Sequence, residues 1–336
     1  MAAGPEVAAR GIPAQRAAGG EPARVSVVIP TVGRPTLRRA VDSALAQTHP
    51  PHEVLVVFDG AAGADPGPWG DAWPGAPVRV LVATDGGGPT ATRTFGVRAA
   101  AGPLVGFLDD DDEWLPEKLA EQVARWSAER RAVAYPVVIT QCVDVDADGR
   151  VVFVPAPAAG APTLGDRLFR RTSVRQRTAL GGSSAILAPR ELLLAEPFDA
   201  TIDLHEDWEW LLRADRRPDA AVSVVERPLL RYQLNRPGTS AGSPGTGWWD
   251  SVAFGRSAGL SPRALGDFLM TVSAPIAAAR GARADAWRIA ALAVRTGRPG
   301  WPAVSMFVLL MTTPARLRWA AAAWLQKLRG RGPAGD

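Results

Sequence analysis

Short apolar runs alternate with amphipathic segments over residues 25–130. The apolar runs are rich in β-branched residues and occupy residues 25–29, 53–58, 78–83 and 104–108. Runs without polar–apolar alternation are typical of strands that are buried on both faces of a parallel sheet. The segments between them open at Pro35, Pro89 and Pro116 and place apolar residues on one helical face. This order predicts an α/β fold in which a mostly parallel sheet is flanked by helices.

The pattern changes after residue 131. Further strands are predicted at residues 132–140, 150–154, 185–188, 220–225 and 229–234, with a turn at 146–149 between the first two. A helix is predicted from His205 onward, and Ala-rich helical segments follow from Trp248. Breaks in this helical region are expected at the proline and glycine residues of 297–302 and at Pro314.

These patterns predict a chain of three parts. Residues 1–24 are rich in Ala, Gly, Pro and Arg and contain no apolar core segment, so a disordered leader is expected rather than a signal peptide. The α/β domain is expected to cover residues 25–235, with two halves that meet at residue 130. A helical and basic C-terminal region is expected over residues 248–336.

Composition excludes several kinds of site. Cys142 is the only cysteine in 336 residues, so a disulfide framework and a cysteine-based zinc site are excluded. With three histidines, a histidine-rich metal site is not expected. No apolar run reaches about 18 residues, so no membrane-spanning helix is predicted. From Arg280 to the end there are ten Lys or Arg and two Asp, which predicts either a solvated helical face or contact with an anionic surface.

Four consecutive aspartates, residues 109–112, follow the last apolar run of the first half. Open α/β sheets bind ligands at the carboxyl ends of their strands, where these side chains are expected to lie. Neighbouring carboxylates repel one another, and hard cations such as Mg²⁺ and Mn²⁺ prefer oxygen ligands. The run therefore indicates a site for a metal ion and a diphosphate. The alternative is an acidic loop in which Asp112 caps the next helix and the other carboxylates are solvated.

Three further features accompany the acidic run. Residues 86–91 fit G-x-G-x-x-A between a strand and a helix, which favours either dinucleotide binding or a glycine turn before a helix that carries Arg93. Asp59 ends the second strand and is either a ligand for a base or ribose or a simple turn residue. Glu206 and Asp207 are either candidates for a general base or acidic residues that complement a helix N-terminus.

An ordered series of segments resembles the family 2 glycosyltransferases of the GT-A fold. The segments are residues 25–31, 44–48, 53–60, 91–97, 107–114 and 206–213. Residues 91–97 resemble the family's Ala-Arg-Asn-x-Gly-Ile helix, and residues 107–114 are similar to its metal-binding D-x-D segment. Residues 206–213 look like its Glu-Asp helix. Each segment alone is a weak signal, whereas the series in this order is strong.

The resemblance implies an inverting, nucleotide-sugar-dependent glycosyltransferase that uses Mn²⁺ or Mg²⁺. It implies a Rossmann-like GT-A domain with a nucleotide-binding half at 25–130 and an acceptor half at 131–235. The helical region from Trp248 lies outside the resemblance and is expected to be an acceptor-side or membrane-facing appendage. The partners would be a nucleotide-diphosphate sugar and a hydroxyl-bearing glycan, lipid or small molecule, without nucleic acid. The expected role is cell-envelope or glycoconjugate biosynthesis in the cytoplasm, with contact at the inner face of a membrane through the basic C-terminal region.

The resemblance also implies roles for individual residues that match the family's motifs. The nucleotide and donor sugar would contact Thr31, Asp59, Arg93, Asp109 and Asp110. Asp111 would bind the metal ion, while Gly182 and Ser183 would border the acceptor. Asp207 would be the general base, with Glu206 as the other candidate.

The sequence departs from the family's pattern at several positions and leaves other functions open. Phe58 replaces an acid, Thr94 replaces an asparagine, and Val32 and Gly33 replace an aromatic-Asn pair. These departures concern the identity of the nucleotide more than the fold. One alternative is a catalytically silent relative that binds a nucleotide or a partner. Another is a sugar-phosphate nucleotidyltransferase, although residues 31–35 offer only one glycine and one arginine for its loop.

Overall fold

The computed structural model of the chain describes residues 23–84, 87–145, 151–153, 161–174, 182–233 and 247–313. Residues 1–22 of the predicted leader, the predicted turn at 146–149 and residues 314–336 of the predicted tail lie outside the described residues.

The described strands form one mixed sheet. They are β1 (Val25–Thr31), β2 (Glu53–Asp59), β3 (Val78–Ala83), β4 (Leu104–Phe107), β5 (Glu113–Trp114), β6 (Tyr135–Val145), β7 (Val151–Phe153), β8 (Ile186–Pro189) and β9 (Ala220–Gln233). Their order is β3-β2-β1-β4-β8-β6-β9-β5, with β7 paired to β6. Strands β1 to β4 are mutually parallel, whereas β8 runs antiparallel to both β4 and β6. The predicted α/β fold with a mostly parallel first half is confirmed.

Helices cover both faces of the sheet and build the C-terminal region. They are α1 (Leu37–Leu45), α2 (Gly88–Ala99), α3 (Lys118–Glu129), α4 (Leu164–Phe169), α5 (Arg190–Ala195), α6 (Glu206–Asp215), α7 (Trp248–Ser257), α8 (Pro262–Phe268), α9 (Ala274–Ala279), α10 (Arg283–Thr296) and α11 (Trp301–Thr312). A π-helical turn, Leu269–Ser273, joins α8 to α9.

Alternate residues of the central strands feed two hydrophobic cores. In β1, Val27 and Ile29 pack with α1 and α3 on one face, whereas Val28 packs with α2, α6 and the C-terminal helices on the other. All seven residues of β1 are buried. Burial on both faces explains why the run at 25–29 is continuously apolar. Because both faces of the sheet are covered, a ligand site is expected at the carboxyl ends of these strands.

The second half differs from the predicted strands in two places. The runs at 220–225 and 229–234 were expected to be separate strands, but β9 is continuous to Gln233 and its register against β6 shifts near Gln141. Pairing to β6 supplies the backbone hydrogen bonds that local sequence does not reveal, so the strand continues through Pro228. The short strand β5 lies between the acidic run and α3, where no strand was predicted, and pairs with β9.

The C-terminal helices pack directly against the α/β domain. The carboxylate of Asp267, fully buried in α8, accepts hydrogen bonds from the backbone N–H of Arg171 at 2.8 Å and of Gly300 at 2.7 Å. Arg263 donates to the same carboxylate at 2.8 Å. One buried acid therefore ties three separate segments together, and the predicted helical C-terminal region is confirmed over residues 248–313. Within the described ranges, every helix is too short or too polar to cross a membrane.

Close packing of α2 on β1 requires a glycine at position 96. A methyl group on Gly96 would lie 2.4 Å from Cγ1 of Val28, which is too close for any real contact. We expect Gly96→Ala to lower the free energy of unfolding by about 1–3 kcal/mol through overpacking, measured by urea denaturation. Gly70→Ala is the matched control, because the nearest atom to its added methyl group is 3.9 Å away.

The added strain should fall when Val28 is shortened. The Gly96→Ala/Val28→Ala pair should therefore lose less stability than the sum of the two single variants, by about 0.5–3 kcal/mol. Additive losses would show that Gly96 is not held by this contact.

Candidate active site

The four aspartates lie in the loop that leaves the carboxyl end of β4. Asp110 and Asp112 are almost completely buried, and Asp111 is nine-tenths buried. The side chain of Asp109 is the most accessible of the four, at 29% exposed. Asp112 does not cap a helix, because α3 begins only at Lys118. The alternative of a solvated acidic loop with a capping Asp112 is therefore wrong.

Asp110 is held by residues from the end of β1. The Thr31 hydroxyl donates to its Oδ2 at 2.6 Å, and the Arg34 guanidinium donates to its Oδ1 at 2.7 Å. Burial nevertheless raises the pKa of the Asp110 carboxyl above its usual value. This carboxylate therefore fixes the loop after β1 to the acidic loop.

Asp109 faces the opposite side, toward α2 and the start of β8. Its Oδ1 accepts from Arg93 Nη2 at 2.7 Å and from the Ser183 hydroxyl at 3.2 Å. Its backbone N–H donates to the Ser184 hydroxyl at 2.9 Å. Thus the structure brings together Arg93, Asp109 and Ser183, which lie far apart in the sequence.

The Arg93 guanidinium spans two acidic residues from different elements. While Nη2 binds Asp109, Nη1 donates to Glu206 Oε1 at 3.1 Å. Its side chain is only 5% exposed, and Nε has no hydrogen-bond partner. Burial lowers the pKa of Arg93, but the charges of Asp109 and Glu206 outweigh burial and raise it above its usual value. Arg93 therefore remains a cation that joins the acidic loop to α6.

The first turn of α6 carries the two candidate bases. Glu206 is the first residue of the helix, and His205 precedes it in the left-handed conformation with φ 71°. Among the described residues, His205 is the one non-glycine residue with positive φ. Acidic residues at a helix N-terminus are favoured by the helix dipole, as expected for Glu206 and Asp207.

Asp207 occupies a different environment from Glu206. It lies beside Gly182, where a methyl group would approach Asp207 Oδ2 to 3.0 Å, and Gly182 itself has φ 55°. Trp208 donates its backbone N–H to Asp207 Oδ1 at 2.7 Å. Burial and then the charge of Glu206 raise the pKa of Asp207 to about 7, although Arg93 acts in the opposite direction. Among the described residues, no Lys or Arg lies within 4.0 Å of the Asp207 carboxylate.

His205 links this turn to the C-terminal helices. Its Nε2 lies 2.8 Å from the Ser251 hydroxyl of α7, which lies 2.8 Å from the Ser273 hydroxyl. The imidazole ring also stacks on Trp208, with centroids 4.7 Å apart and 13° between the planes. Burial lowers the pKa of His205 to about 3, so its ring is neutral at physiological pH.

The remaining two aspartates lie near different segments, Asp111 near the loop after β1 and Asp112 near the end of β9. Asp111 Oδ2 lies 4.0 Å from Arg34 Nη1, and Asp112 Oδ1 accepts from the Gln233 backbone N–H at 3.1 Å. Burial, followed by the charges of Asp109 and Asp111, raises the pKa of Asp112 well above its usual value. Burial and these carboxylates likewise raise the pKa of the neighbouring Tyr232 well above its usual value.

The Asp59 carboxylate accepts hydrogen bonds from backbone N–H groups of the described residues. Its Oδ1 accepts from the N–H groups of Ala61 at 3.1 Å and Ala62 at 3.2 Å, and its Oδ2 accepts from Gly88 at 2.7 Å. These bonds join the turn after β2 to the beginning of α2. Residues 85 and 86 of the predicted glycine motif lie outside the described residues. The contact of Asp59 with a nucleotide stays a prediction.

Sequence reasoning did not single out several residues that shape the site. Arg34 binds Asp110, and Ser184 binds the backbone of Asp109. Tyr232 and Gln233 come from β9, more than 100 residues beyond the acidic run. Arg34 follows the first strand and was visible as a charged loop residue. No local pattern indicates Tyr232, because its position depends on the order of strands in the sheet.

The donors at this site fit a cation that shares its coordination with a substrate. In the part of the chain that the structure describes, no three His, Cys, Asp or Glu side chains are grouped closely enough to hold a metal ion by themselves. Mg²⁺ commonly takes only one or two carboxylates together with substrate phosphates. Asp112 Oδ2 is buried without a hydrogen-bond partner, so an oxygen donor next to Asp111 in the chain is not engaged by the protein. The site thus fits a shared cation but not a complete protein cage.

An acidic loop at the carboxyl edge of this sheet is joined through Arg93 to the first turn of α6, which carries Glu206 and Asp207. Residues 26–184 match the model of the family described as Glycosyl transferase family 2. The matched region ends at Ser184, so Glu206 and Asp207 lie beyond it.

Several known proteins are similar to this chain over part of its length. The succinoglycan biosynthesis protein ExoO of Rhizobium meliloti (strain 1021) is 31% identical over 182 residues, which are 53% of this chain and 51% of that protein. The uncharacterized glycosyltransferase YwdF of Bacillus subtilis (strain 168) is 34% identical over 104 residues, 30% of this chain and 38% of that protein. The chain therefore spans about half the length of ExoO and 38% of the length of YwdF. Among solved structures, S. aureus TarS 1–349 in complex with UDP-GlcNAc has a TM-score of 0.48 and 18% identity, covering 81% of this chain and 71% of that one.

Neutral, buried His205 should make stability depend on pH. Its pKa is about 3 in the fold and about 6.5 when unfolded, so the unfolded state binds the extra proton between these values. The stabilisation is present above pH 6.5 and falls by up to about 1.4 kcal/mol per pH unit as pH decreases. His205→Asn should lose this contribution, since asparagine tolerates the left-handed conformation but does not titrate.

The measurement is the free energy of unfolding of both proteins from pH 7 to pH 4. Contributions from the aspartates and from the other histidines are common to both proteins and cancel in the difference. Parallel curves for wild type and His205→Asn would rule out a buried neutral His205.

Proposed function

We propose that this chain transfers a sugar from a nucleotide-diphosphate donor to an acceptor hydroxyl, with inversion and with Asp207 as the general base. The observation that carries the proposal is the pairing of an acidic loop with Asp207 through Arg93, which binds Asp109 and Glu206 at once. This bridge holds a donor-side acid group and an acceptor-side carboxylate on one rigid frame. The family match over residues 26–184 supports the same reaction class.

Asp207 is better suited than Glu206 to act as the base. Glu206 is ion-paired to Arg93 at 3.1 Å, which engages its Oε1. Asp207 has a pKa of about 7, so it accepts a proton readily near neutral pH. Its Oδ2 faces Gly182, where the absence of a side chain leaves access for an acceptor. Gly182 and Ser183 therefore border the acceptor in this proposal.

The reaction balances with these groups. The acceptor hydroxyl gives its proton to the Asp207 carboxylate, while its oxygen forms a bond to the anomeric carbon of the donor. The bond from that carbon to the diphosphate oxygen breaks, and its electron pair leaves with the nucleoside diphosphate. Attack on the face opposite the leaving group inverts the anomeric centre. Asp207 then returns the proton to water.

The donor would lie along the loops after β1, β2 and β4. Thr31 and Asp59 are proposed for the nucleotide, and Asp109 and Asp110 for the ribose and donor sugar. Arg93 would act by orienting Asp109, since both of its terminal nitrogens are engaged. A Mn²⁺ or Mg²⁺ ion held by Asp111 would supply Lewis-acid neutralisation of the leaving diphosphate.

Removal of the proposed base should abolish transfer but spare donor binding. We expect Asp207→Asn to lower kcat about 10²–10⁴-fold, the usual contribution of a general base, with the donor Kd little changed. In the wild type, kcat/KM should rise as pH increases through about 7, because Asp207 is protonated and inactive below its pKa. Transfer is measured as release of nucleoside diphosphate in the presence of acceptor.

Two variants serve as comparisons. Asp203→Asn changes an exposed aspartate four residues earlier and should retain full activity. Glu206→Gln breaks the ion pair with Arg93 and should reduce activity while keeping the pH dependence of the base. A full-rate Asp207→Asn enzyme would defeat the assignment of Asp207.

Donor binding should stabilise the protein selectively. UDP, GDP and dTDP are each tested by thermal unfolding with and without Mn²⁺, and NAD is included. A ligand at about 100 times its Kd adds roughly 2.7 kcal/mol. We expect one nucleoside diphosphate to stabilise the protein strongly only with Mn²⁺, and Asp111→Asn to remove that difference. The Asp203→Asn variant should respond like wild type.

Other outcomes would point to the alternative functions. Stabilisation by NAD alone would favour dinucleotide binding, and no response to any diphosphate would contradict a donor site. Metal-dependent diphosphate binding with an Asp207→Asn variant of wild-type activity would favour a nucleotidyltransferase. Diphosphate binding without turnover in either protein would favour a catalytically silent relative.

A further inference from the structure

Helix α11 exposes an almost entirely apolar face. Its solvent-facing side chains recur at helical spacing and include Trp301, Val304, Val308 and Leu309. Trp301 is 69% exposed, an unusual position for the largest apolar side chain. The opposite face, with Ala303, Phe307 and Met311, is buried against the rest of the C-terminal region. Helix α11 is therefore apolar on both sides, and only one side has a partner in the described structure.

Helix α10 extends this exposed face. Trp287 is 52% exposed, and its ring meets the edge of Phe307 from α11 with centroids 4.9 Å apart. Val294, seven residues or about two helical turns further along α10, is also exposed. Of ten large apolar side chains that are exposed in the described residues, six lie on these two helices. We call this set the C-terminal apolar surface: Trp287, Val294, Trp301, Val304, Val308 and Leu309.

The charged residues around the C-terminal apolar surface are mainly arginines, and the one carboxylate of α10, Asp285, is paired with Arg288 at 2.9 Å. No Asp or Glu occurs between residues 287 and 313, whereas Arg288, Arg295 and Arg298 do. All three arginines are exposed. On α10, Arg288 and Arg295 directly follow the exposed residues Trp287 and Val294 in the sequence, and Arg298 lies just beyond the end of the helix. The surface thus combines tryptophan and aliphatic side chains with a positively charged border.

The length of α11 limits how it can meet a lipid bilayer. Twelve residues of helix extend about 18 Å, which is shorter than the hydrocarbon core of about 30 Å. A helix with Trp and Leu on one face and arginines at its border lies in the plane of the membrane interface. Tryptophan is favoured at that depth because its ring is apolar while its N–H remains hydrated.

We propose that the C-terminal apolar surface binds to the surface of an anionic lipid bilayer. Charge complementarity favours this partner over two others that could cover an apolar face, namely a second copy of the chain and residues 314–336. In a symmetric dimer the same arginines from both copies would meet, which is repulsive. Residues 314–336 of this chain carry five further Lys or Arg and one Asp, so they also repel the border. Anionic headgroups have the opposite charge. The inference does not depend on the proposed function.

Flotation of the full-length protein with vesicles tests this inference. Vesicles of phosphatidylcholine alone are compared with vesicles in which part of the lipid is replaced by anionic phosphatidylglycerol. We expect the partition coefficient to be much higher on the anionic vesicles and to fall with added salt, because a charge is screened beyond a Debye length of about 8–10 Å.

Paired variants separate the apolar from the electrostatic contribution. Trp301→Ser/Leu309→Ser should lower binding to anionic vesicles about tenfold or more, since it removes two exposed apolar side chains that would enter the bilayer. Its control, Trp249→Ser/Leu194→Ser, removes the same residue types from exposed positions elsewhere and should bind like wild type. Arg295→Gln/Arg298→Gln should lower binding to anionic vesicles about tenfold and leave binding to neutral vesicles unchanged.

A second charge pair and the oligomeric state complete the test. Arg24→Gln/Arg131→Gln reduces net charge equally at exposed sites in the other domain and should retain binding. Equal binding by this pair and by Arg295→Gln/Arg298→Gln would overturn the proposal in favour of nonspecific attraction. Absence of vesicle binding would also overturn it. If the wild type then forms a dimer that Trp301→Ser/Leu309→Ser dissociates, the surface joins two copies; if it stays monomeric, residues 314–336 cover it.

Discussion

The site depends on one buried arginine. The guanidinium of Arg93 leaves water almost completely, and such a burial is tolerated only when the charge is compensated. Asp109 and Glu206 provide that compensation from two different elements, one after β4 and one at the start of α6. Because an arginine fork has a rigid planar geometry, both carboxylates are fixed relative to each other. The Arg93 cation that they share therefore sets the position of the acidic loop relative to the helix that carries Asp207.

The C-terminal helices contribute to the same frame. Left-handed backbone at His205 costs energy, and the cost is offset by the stack on Trp208 and the hydrogen bond to Ser251 of α7. This conformation turns the chain so that Glu206 and Asp207 open α6 in the correct direction. The region beyond the family match is thus connected to the acidic site through buried contacts, and it also carries the exposed apolar surface. One part of the chain has both an inward and an outward role.

Strong, local signals were read correctly from the sequence. Continuous β-branched runs predicted β1 to β4, because a strand that is buried on both faces has no polar alternation. Asp109 to Asp112 were placed at a strand end for the same reason. Weaker signals failed where pairing decided the outcome. Residues 220–233 form one strand because β6 pairs with it on both sides of the irregularity near Pro228, and the two-residue strand β5 pairs with β9. Asp112 was expected to cap a helix as one alternative, but it is buried against Gln233.

The amino-acid pattern was sufficient to establish the α/β class, the parallel first half, the basic C-terminal region and the types of residue available for chemistry. These properties follow from periodicity and composition, which are local. The protonation of those residues was not accessible in this way. Asp207 and Glu206 are adjacent and chemically alike, yet one has a pKa of about 7 and the other is paired with Arg93. That difference arises from the burial of Asp207 and from the pairing of Glu206 with Arg93, which lies 113 residues earlier in the chain and comes within reach only when the sheet and its helices are packed.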